Sequence, residues 1–323
     1  MQSNQYSIKI GGHITLLFSI QSKSFDLDEQ GSRGAGICIQ KGVEVNTTAR
    51  KGNGNVIITS DIQNLSVKLY NLIIEEMVKD FKIIKKYDWE FFIKSDLPFG
   101  QGFGCSASGA LSAIIGILKI IKEDENIFQN AITIAHRVER KMSSGLGDVT
   151  ALSAGGVELR VEPGLPFPPN KGKIINWNSD FPMILCWEKN KQKHTSEYID
   201  NEDWKKSISD AGEQCISILN KKEWNKNIWN DLLEQSKVFG ENSRILFDSN
   251  RKEILYLIEN VLNDLKLNSF WEVRLCMLGS SAVILPRDIE KFNEEDLEQI
   301  LKMLKKLKLN GCITKTSLNP IEI

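Results

Sequence analysis

Three absences narrow what this chain can be. None of its six cysteines (Cys38, Cys105, Cys186, Cys215, Cys276, Cys312) stands in a CxxC pair, which argues against a zinc site or disulfide framework and for a reducing compartment. No stretch reaches the roughly 18 apolar residues of a membrane span, and the N-terminus lacks the charged, apolar, small-residue succession of a signal peptide. The expected place is therefore the cytoplasm. Net charge is almost absent too: 41 basic residues oppose 42 acidic ones, a formal charge of -1. No global field then draws in nucleic acid or an anionic membrane, and a partner bound through net charge is not expected.

What is present is enough chain for a large core. A length of 323 residues favours two domains with a cleft between them. Pro163 to Pro169, with five prolines and glycines in seven residues, is the linker candidate and divides the chain into 1–165 and 166–323. Strand patterns cover Tyr6 to Ile20, bent at Gly11-Gly12, then Ile37 to Ile39, Val43 to Thr48, Val56 to Thr59 and Trp89 to Lys94. Helical periodicity runs through Val67 to Met77, through Leu111, Ile114, Ile115 and Leu118, and through Ile127 to Met142. The later half alternates strands (Met183–Trp187, Trp271–Met277, Ala282–Leu285, Cys312–Ser317) with helices, including a tract from Glu202 to Leu265 broken near Asn225, Gly240 and Asn250. That order predicts an α+β fold.

The densest signal is Pro98-Phe99-Gly100-Gln101-Gly102-Phe103-Gly104-Cys105-Ser106-Ala107-Ser108, three alternate glycines between a strand and a helix. Glycines let backbone N–H groups turn inward toward an anion, and the positive end of the following helix points at the same spot. The segment reads as a phosphate loop. It is not a Walker A loop, because no lysine occurs from Phe99 to Leu118, and its GxGxG spacing departs from the GxGxxG of dinucleotide folds.

Downstream, His136, Glu139 and Arg140 share a helix face, and Ser143-Ser144-Gly145-Leu146-Gly147-Asp148 turns sharply and presents a carboxylate. Glu139 and Asp148 can thus converge. Gly155 to Val161 alternates, with Glu158, Arg160 and Glu162 on its polar side. Arg160 there can offer a bidentate fork to an anion or pair with Glu158 or Glu162. Gly31-Ser32-Arg33-Gly34-Ala35-Gly36 suits either a turn facing an anion or a plain hairpin connection. His13 fits a structural place under the glycine loop, and His194, in a polar stretch, a solvated one.

The loop resembles the nucleotide loop of the GHMP kinases, which reads Pro-x-Gly-x-Gly-(Leu or Phe)-Gly-x-Ser. Gly12-His13-Ile14-Thr15, Gly31 to Gly36, and Ala135-His136-Arg137 leading through Glu139 to Asp148 narrow that resemblance to the archaeal pantoate kinases. Met277-Leu278-Gly279-Ser280-Ser281 stands where the superfamily has its third glycine-rich motif, of which only Gly279 is kept.

The resemblance implies an N-terminal domain like a small-subunit ribosomal protein domain and a ferredoxin-like C-terminal domain. It implies ATP and Mg²⁺ as cofactors, with Pro98, Gly100, Gln101, Gly102, Phe103, Gly104, Cys105, Ser106, Ala107 and Ser108 at the nucleotide. Ser106 and Glu139 would hold the metal, and Asp148 would orient or deprotonate the acceptor hydroxyl. Ser32, Arg33, His136 and Arg160 would bind pantoate, giving 4-phosphopantoate on the archaeal route to coenzyme A. Rival readings are a GHMP kinase for homoserine, mevalonate or shikimate, and an RNA-binding module, which the near-neutral charge disfavours. A homodimer is one allowed assembly.

Overall fold

A computed structural model describes residues 4–62, 65–143, 145–189 and 201–321; His194 lies outside them. Two long antiparallel strands form its spine, β1 (Asn4–Gln21) and β2 (Gly31–Lys51). β1 is irregular where its glycines stand. The pairing register shifts between Gly11 and Gly12, and a Cβ on Gly12 would lie 2.7 Å from the Phe103 carbonyl oxygen. With β3 (Val56–Ser60), β4 (Tyr87–Ser95), β5 (Val157–Glu162) and β6 (Lys173–Trp177), they make a sheet ordered β3-β4-β2-β5-β6, with β1 paired to β2. Only β3 and β4 run parallel.

Four helices follow this sheet in the first half: α1 (Val67–Asp80), α2 (Cys105–Ile121), α3 (Ile127–Lys141) and the short α4 (Asp148–Ala154). α2 lies across β1 and β2, and α1 and α3 cover its far side. Its stripe Leu111, Ile114, Ile115 and Leu118 is fully buried. Nearly every other position is buried as well, as expected of a helix apolar all round.

The second sheet has the order β10-β7-β9-β8, antiparallel throughout, from β7 (Pro182–Glu188), β8 (Trp271–Cys276), β9 (Ser281–Pro286) and β10 (Leu309–Lys315). Its helices are α5 (Glu202–Leu219), α6 (Trp229–Asn242), α7 (Ser249–Asp264) and α8 (Glu294–Lys306). The two sheets meet where Met277 N donates to Thr15 O at 3.1 Å and Ser317 N to Cys38 O at 2.8 Å. α5 also packs directly on β1.

Three expectations change. The segment Gly31–Gly36 is neither turn nor hairpin connection but the start of β2, paired with β1 and, from Gly34, with β5. Its small residues are needed because a Cβ on Gly36 would sit 2.8 Å from His13 Cε1, and one on Gly34 2.7 Å from Arg160 Nη2. The Pro163–Pro169 segment does not separate two domains at 165, because β6 beyond it returns to pair with β5. The chain changes sheet between Trp177 and Pro182. Finally, Gly240 lies inside α6, and the break comes after it, before the Asp248 side chain accepts from Asn250 N to start α7.

Candidate active site

The glycine loop runs from β4 into α2. Gly100, Gly102 and Gly104 take φ values of 75°, 79° and 66°, the left-handed region that side chains resist. Two of them also lack space: a Cβ on Gly102 would lie 2.8 Å from Cys276 O, and one on Gly104 2.9 Å from His13 N. Gly104 caps α2 without any side-chain acceptor for the helix's first N–H groups. Those donors and the helix dipole are therefore left to an anion. A cavity opens there, lined by Pro98, Gly100, Gly102 to Ser106, and on its far sides by Glu139, Asp148 and Gly279.

Three residues expected at the nucleotide sit outside that cavity. Gln101 is buried beneath the loop, its carbonyl accepting a hydrogen bond from the Ser281 hydroxyl. Ala107 is in the core. Ser108 donates to Gly11 O at 2.6 Å. The third and fourth positions of α2, Ala107 and Ser108, are buried, so they support the loop rather than line the cavity.

Ser106, Glu139 and Asp148 do line one cavity. Glu139 comes from the last turn of α3 and Asp148 opens α4. The Glu139 carboxylate rests on Gly145, where a Cβ would be 2.6 Å from either oxygen. Burial pushes the Glu139 pKa up to about 8, the Asp148 charge adds to this, and Arg140 opposes it. Burial acts on Asp148 in the same sense, but the hydrogen bond and charge of His13, with Arg160 and Thr15, hold it below the usual carboxylate range. Asp148 keeps 24% of its side chain exposed, toward the cavity.

The donor set fits a hard dication that also binds phosphate: one hydroxyl and one carboxylate, with a second carboxylate whose repulsion such an ion would relieve. Among the described residues no cluster of three or more His, Cys, Asp or Glu offers a ready-made metal cage. An ion here would thus be shared with ligand oxygens.

His13 does more than the sequence revealed. Its backbone N donates to Phe103 O at 3.1 Å, under the loop as expected. Its ring, fully buried, also lies between two carboxylates, with Nδ1 2.7 Å from Asp148 and Nε2 3.0 Å from Glu158. Burial lowers the imidazole pKa, yet the two carboxylates raise it by more, so it is held above the usual histidine range.

The other side of β5 is not solvated: Glu158 and Arg160 are 0% and 1% exposed and bonded to each other. Of the two alternatives for Arg160, the pair with Glu158 is formed. Nη1 is spent on Glu158, while Nε and Nη2 are buried with no hydrogen-bond partner. Nε flanks Gly147 and the Ser32 hydroxyl, which itself lines the cavity.

Arg33 and His136 are turned away. Strand alternation sends Arg33 to the opposite face from Ser32, where it pairs with Glu213 and donates from Nε to Val161 O at 2.7 Å. His136 bonds the Leu27 carbonyl at 2.9 Å through Nε2. Burial, with Arg140 adding to it, pushes its pKa down to about 4, so it is neutral.

Two further residues escaped the sequence reading. Thr15 lines the cavity with its hydroxyl 3.5 Å from Asp148. Arg251, buried at the start of α7, donates to the carbonyls of Gly279 (2.9 Å from Nε) and Leu278 (from Nη2), fixing the loop that faces Gly102. Nothing in its helical, polar surroundings (Ser249 to Glu253) marks it out; the histidine among apolar residues at position 13 was the better signal.

Comparison with known proteins agrees with this geometry. Residues 64–156 match the family model of the GHMP kinases N terminal domain. A pantoate kinase of Methanocaldococcus jannaschii is 34% identical over 209 residues, 64% of this chain and 71% of that protein. A 4-diphosphocytidyl-2-C-methyl-D-erythritol kinase of Prochlorococcus marinus is 28% identical over 259 residues, 75% of this chain and 73% of that protein. A solved structure described as a phosphotransferase related to the CoA biosynthesis pathway superposes with a TM-score of 0.75 at 22% identity, covering 97% of this chain and 96% of that one. With a glycine cradle, a hydroxyl and two carboxylates gathered on one cavity, and relatives of this kind, the chain belongs to the GHMP kinases and is an ATP-dependent kinase.

Proposed function

We propose that the chain is a pantoate kinase, moving the γ-phosphoryl group of ATP to the 4-hydroxyl of (R)-pantoate to give 4-phosphopantoate for coenzyme A synthesis. The observation that carries the choice of acceptor is Arg160. A buried guanidinium with two unspent nitrogens beside a cavity-lining serine is a costly arrangement unless an anion completes it. Pantoate brings a carboxylate; that of mevalonate stands one carbon farther from its primary hydroxyl, and homoserine, at the same spacing as pantoate, adds an ammonium that a buried guanidinium repels. The pantoate kinase relative supports the same acceptor.

In this reading the backbone of Gly100 to Ser106 cradles the ATP phosphates, and Ser106 and Glu139 hold Mg²⁺. That ion supplies charge neutralisation on the phosphate oxygens. Asp148 orients the acceptor hydroxyl and accepts its proton, and Ser32 and Arg160 take the carboxylate. Arg33 and His136, both turned away from the cavity, do not contact the acceptor.

A coupled ADP-release assay tests this. Turnover is expected with (R)-pantoate and not with mevalonate, homoserine, shikimate or 4-diphosphocytidyl-2-C-methyl-D-erythritol. Turnover on one of these alcohols and none on pantoate overturns the assignment.

A further inference from the structure

Building on the phosphoryl-transfer reading above, we propose that His13 is the positioning residue of the acceptor side. Its Nδ1 pins one oxygen of Asp148, and its Nε2, through Glu158, ties that carboxylate to Arg160. Glu158 Oε1 receives both His13 Nε2 (3.0 Å) and Arg160 Nη1. Asp148, His13, Glu158 and Arg160 therefore form one buried row in which carboxylates alternate with nitrogen donors. Alternation is what makes four ionisable groups tolerable in so little water, since each charge meets its opposite on either side.

An imidazole suits this place because its two nitrogens are fixed in one plane and point in different directions, so the ring acts as a strut. The strut is itself anchored. His13 N is bonded to Phe103 O of the glycine loop, and a Cβ on Gly104 would lie 2.9 Å from that same nitrogen. Gly36, where a Cβ would lie 2.8 Å from Cε1, leaves the ring its seat. One residue thus sets the spacing between the phosphate cradle, the group facing the acceptor hydroxyl, and the cation facing the acceptor's charge.

Two substitutions separate the arms. In His13→Asn the amide nitrogen takes the place of Nδ1 and keeps the Asp148 contact; in His13→Gln it takes the place of Nε2 and keeps the Glu158 contact. Measured on the acceptor the wild type phosphorylates, His13→Gln is expected to lower kcat about 10²-fold with the ATP KM unchanged, the usual cost of a misplaced catalytic group. His13→Asn is expected to recover most of that kcat and to raise the acceptor KM. Equal losses in both variants, following a fall in Tm, overturn the proposal and leave His13 a packing residue.

If the wild type phosphorylates none of the alcohols tested, the kinase assignment fails, and the strut is judged on its own by ¹⁵N NMR of the histidine rings. Two hydrogen-bonded ring N–H protons on His13, identified by their loss in His13→Gln, support it. A single ring proton overturns it.

Discussion

Asp148 and Glu139 line the same cavity, and their surroundings push them in opposite directions. His13 and Arg160 keep Asp148 charged, while burial and that very charge push Glu139 up to about 8. Such divergence is how neighbouring acids acquire different tasks. Asp148→Asn should lower kcat by about 10²- to 10⁴-fold, the range for a proton-handling group, with circular dichroism unchanged. Glu139→Gln should also lower turnover sharply, and its residual activity should need a higher Mg²⁺ concentration for half-saturation. For Arg160, deletion would take from the buried Glu158 side chain one of its two partners, so Arg160→Lys is the informative change. It keeps a charge but loses the fork, and steady-state kinetics should show a raised acceptor KM with little change in that of ATP. His136 offers a stability test. Its folded pKa of about 4 lies below the ordinary 6.5, so the unfolded chain takes up the proton first. Stability is lost as pH falls from about 6.5 to about 4, by on the order of 3 kcal/mol. His136→Gln, whose amide can keep the Leu27 bond, should flatten denaturant midpoints across that window.

At the scale of elements, the site is two loops pressed together. A Cβ on Gly279 would fall onto the Gln101 carbonyl and lie 2.8 Å from Gly102 N, all backbone that cannot step aside. Gly279→Ala should therefore separate the loops and weaken ATP binding at least tenfold by calorimetry, while leaving acceptor affinity nearly intact. The glycine loop, α2 and α3 were legible in the sequence because glycine spacing and helical period are local properties. Ser106, Glu139 and Asp148 followed from them, since one helix and one turn link the two carboxylates. What stayed hidden was decided at long range. His13 meets Glu158 across 145 positions, and alternation along β5 marks a polar face without saying that a second polar face covers it. Reading Gly31 to Gly36 as a turn or hairpin connection kept Ser32 and Arg33 together, whereas a strand sends them to opposite faces. β6 escaped because Lys173–Trp177 is short and sits at the sheet edge, where pairing on one side demands little of the sequence.

Across the whole molecule, the cavity draws on both sheets: Thr15 and Ser32 from the first, Met277 to Gly279 beside the second. A nucleotide seated between them adds its binding energy to the folded state alone. At a hundredfold excess over Kd it should contribute about 2.7 kcal/mol, a rise of several degrees in Tm by differential scanning calorimetry. Near-zero net charge makes the approach of ATP a matter of local donors, not of a global field. The glycine loop is held from both directions, by His13 N on Phe103 O and by the Ser281 hydroxyl on Gln101 O. It works as a keystone: swinging the halves apart would break one of those bonds, so the phosphate seat keeps its shape only while the two sheets stay together.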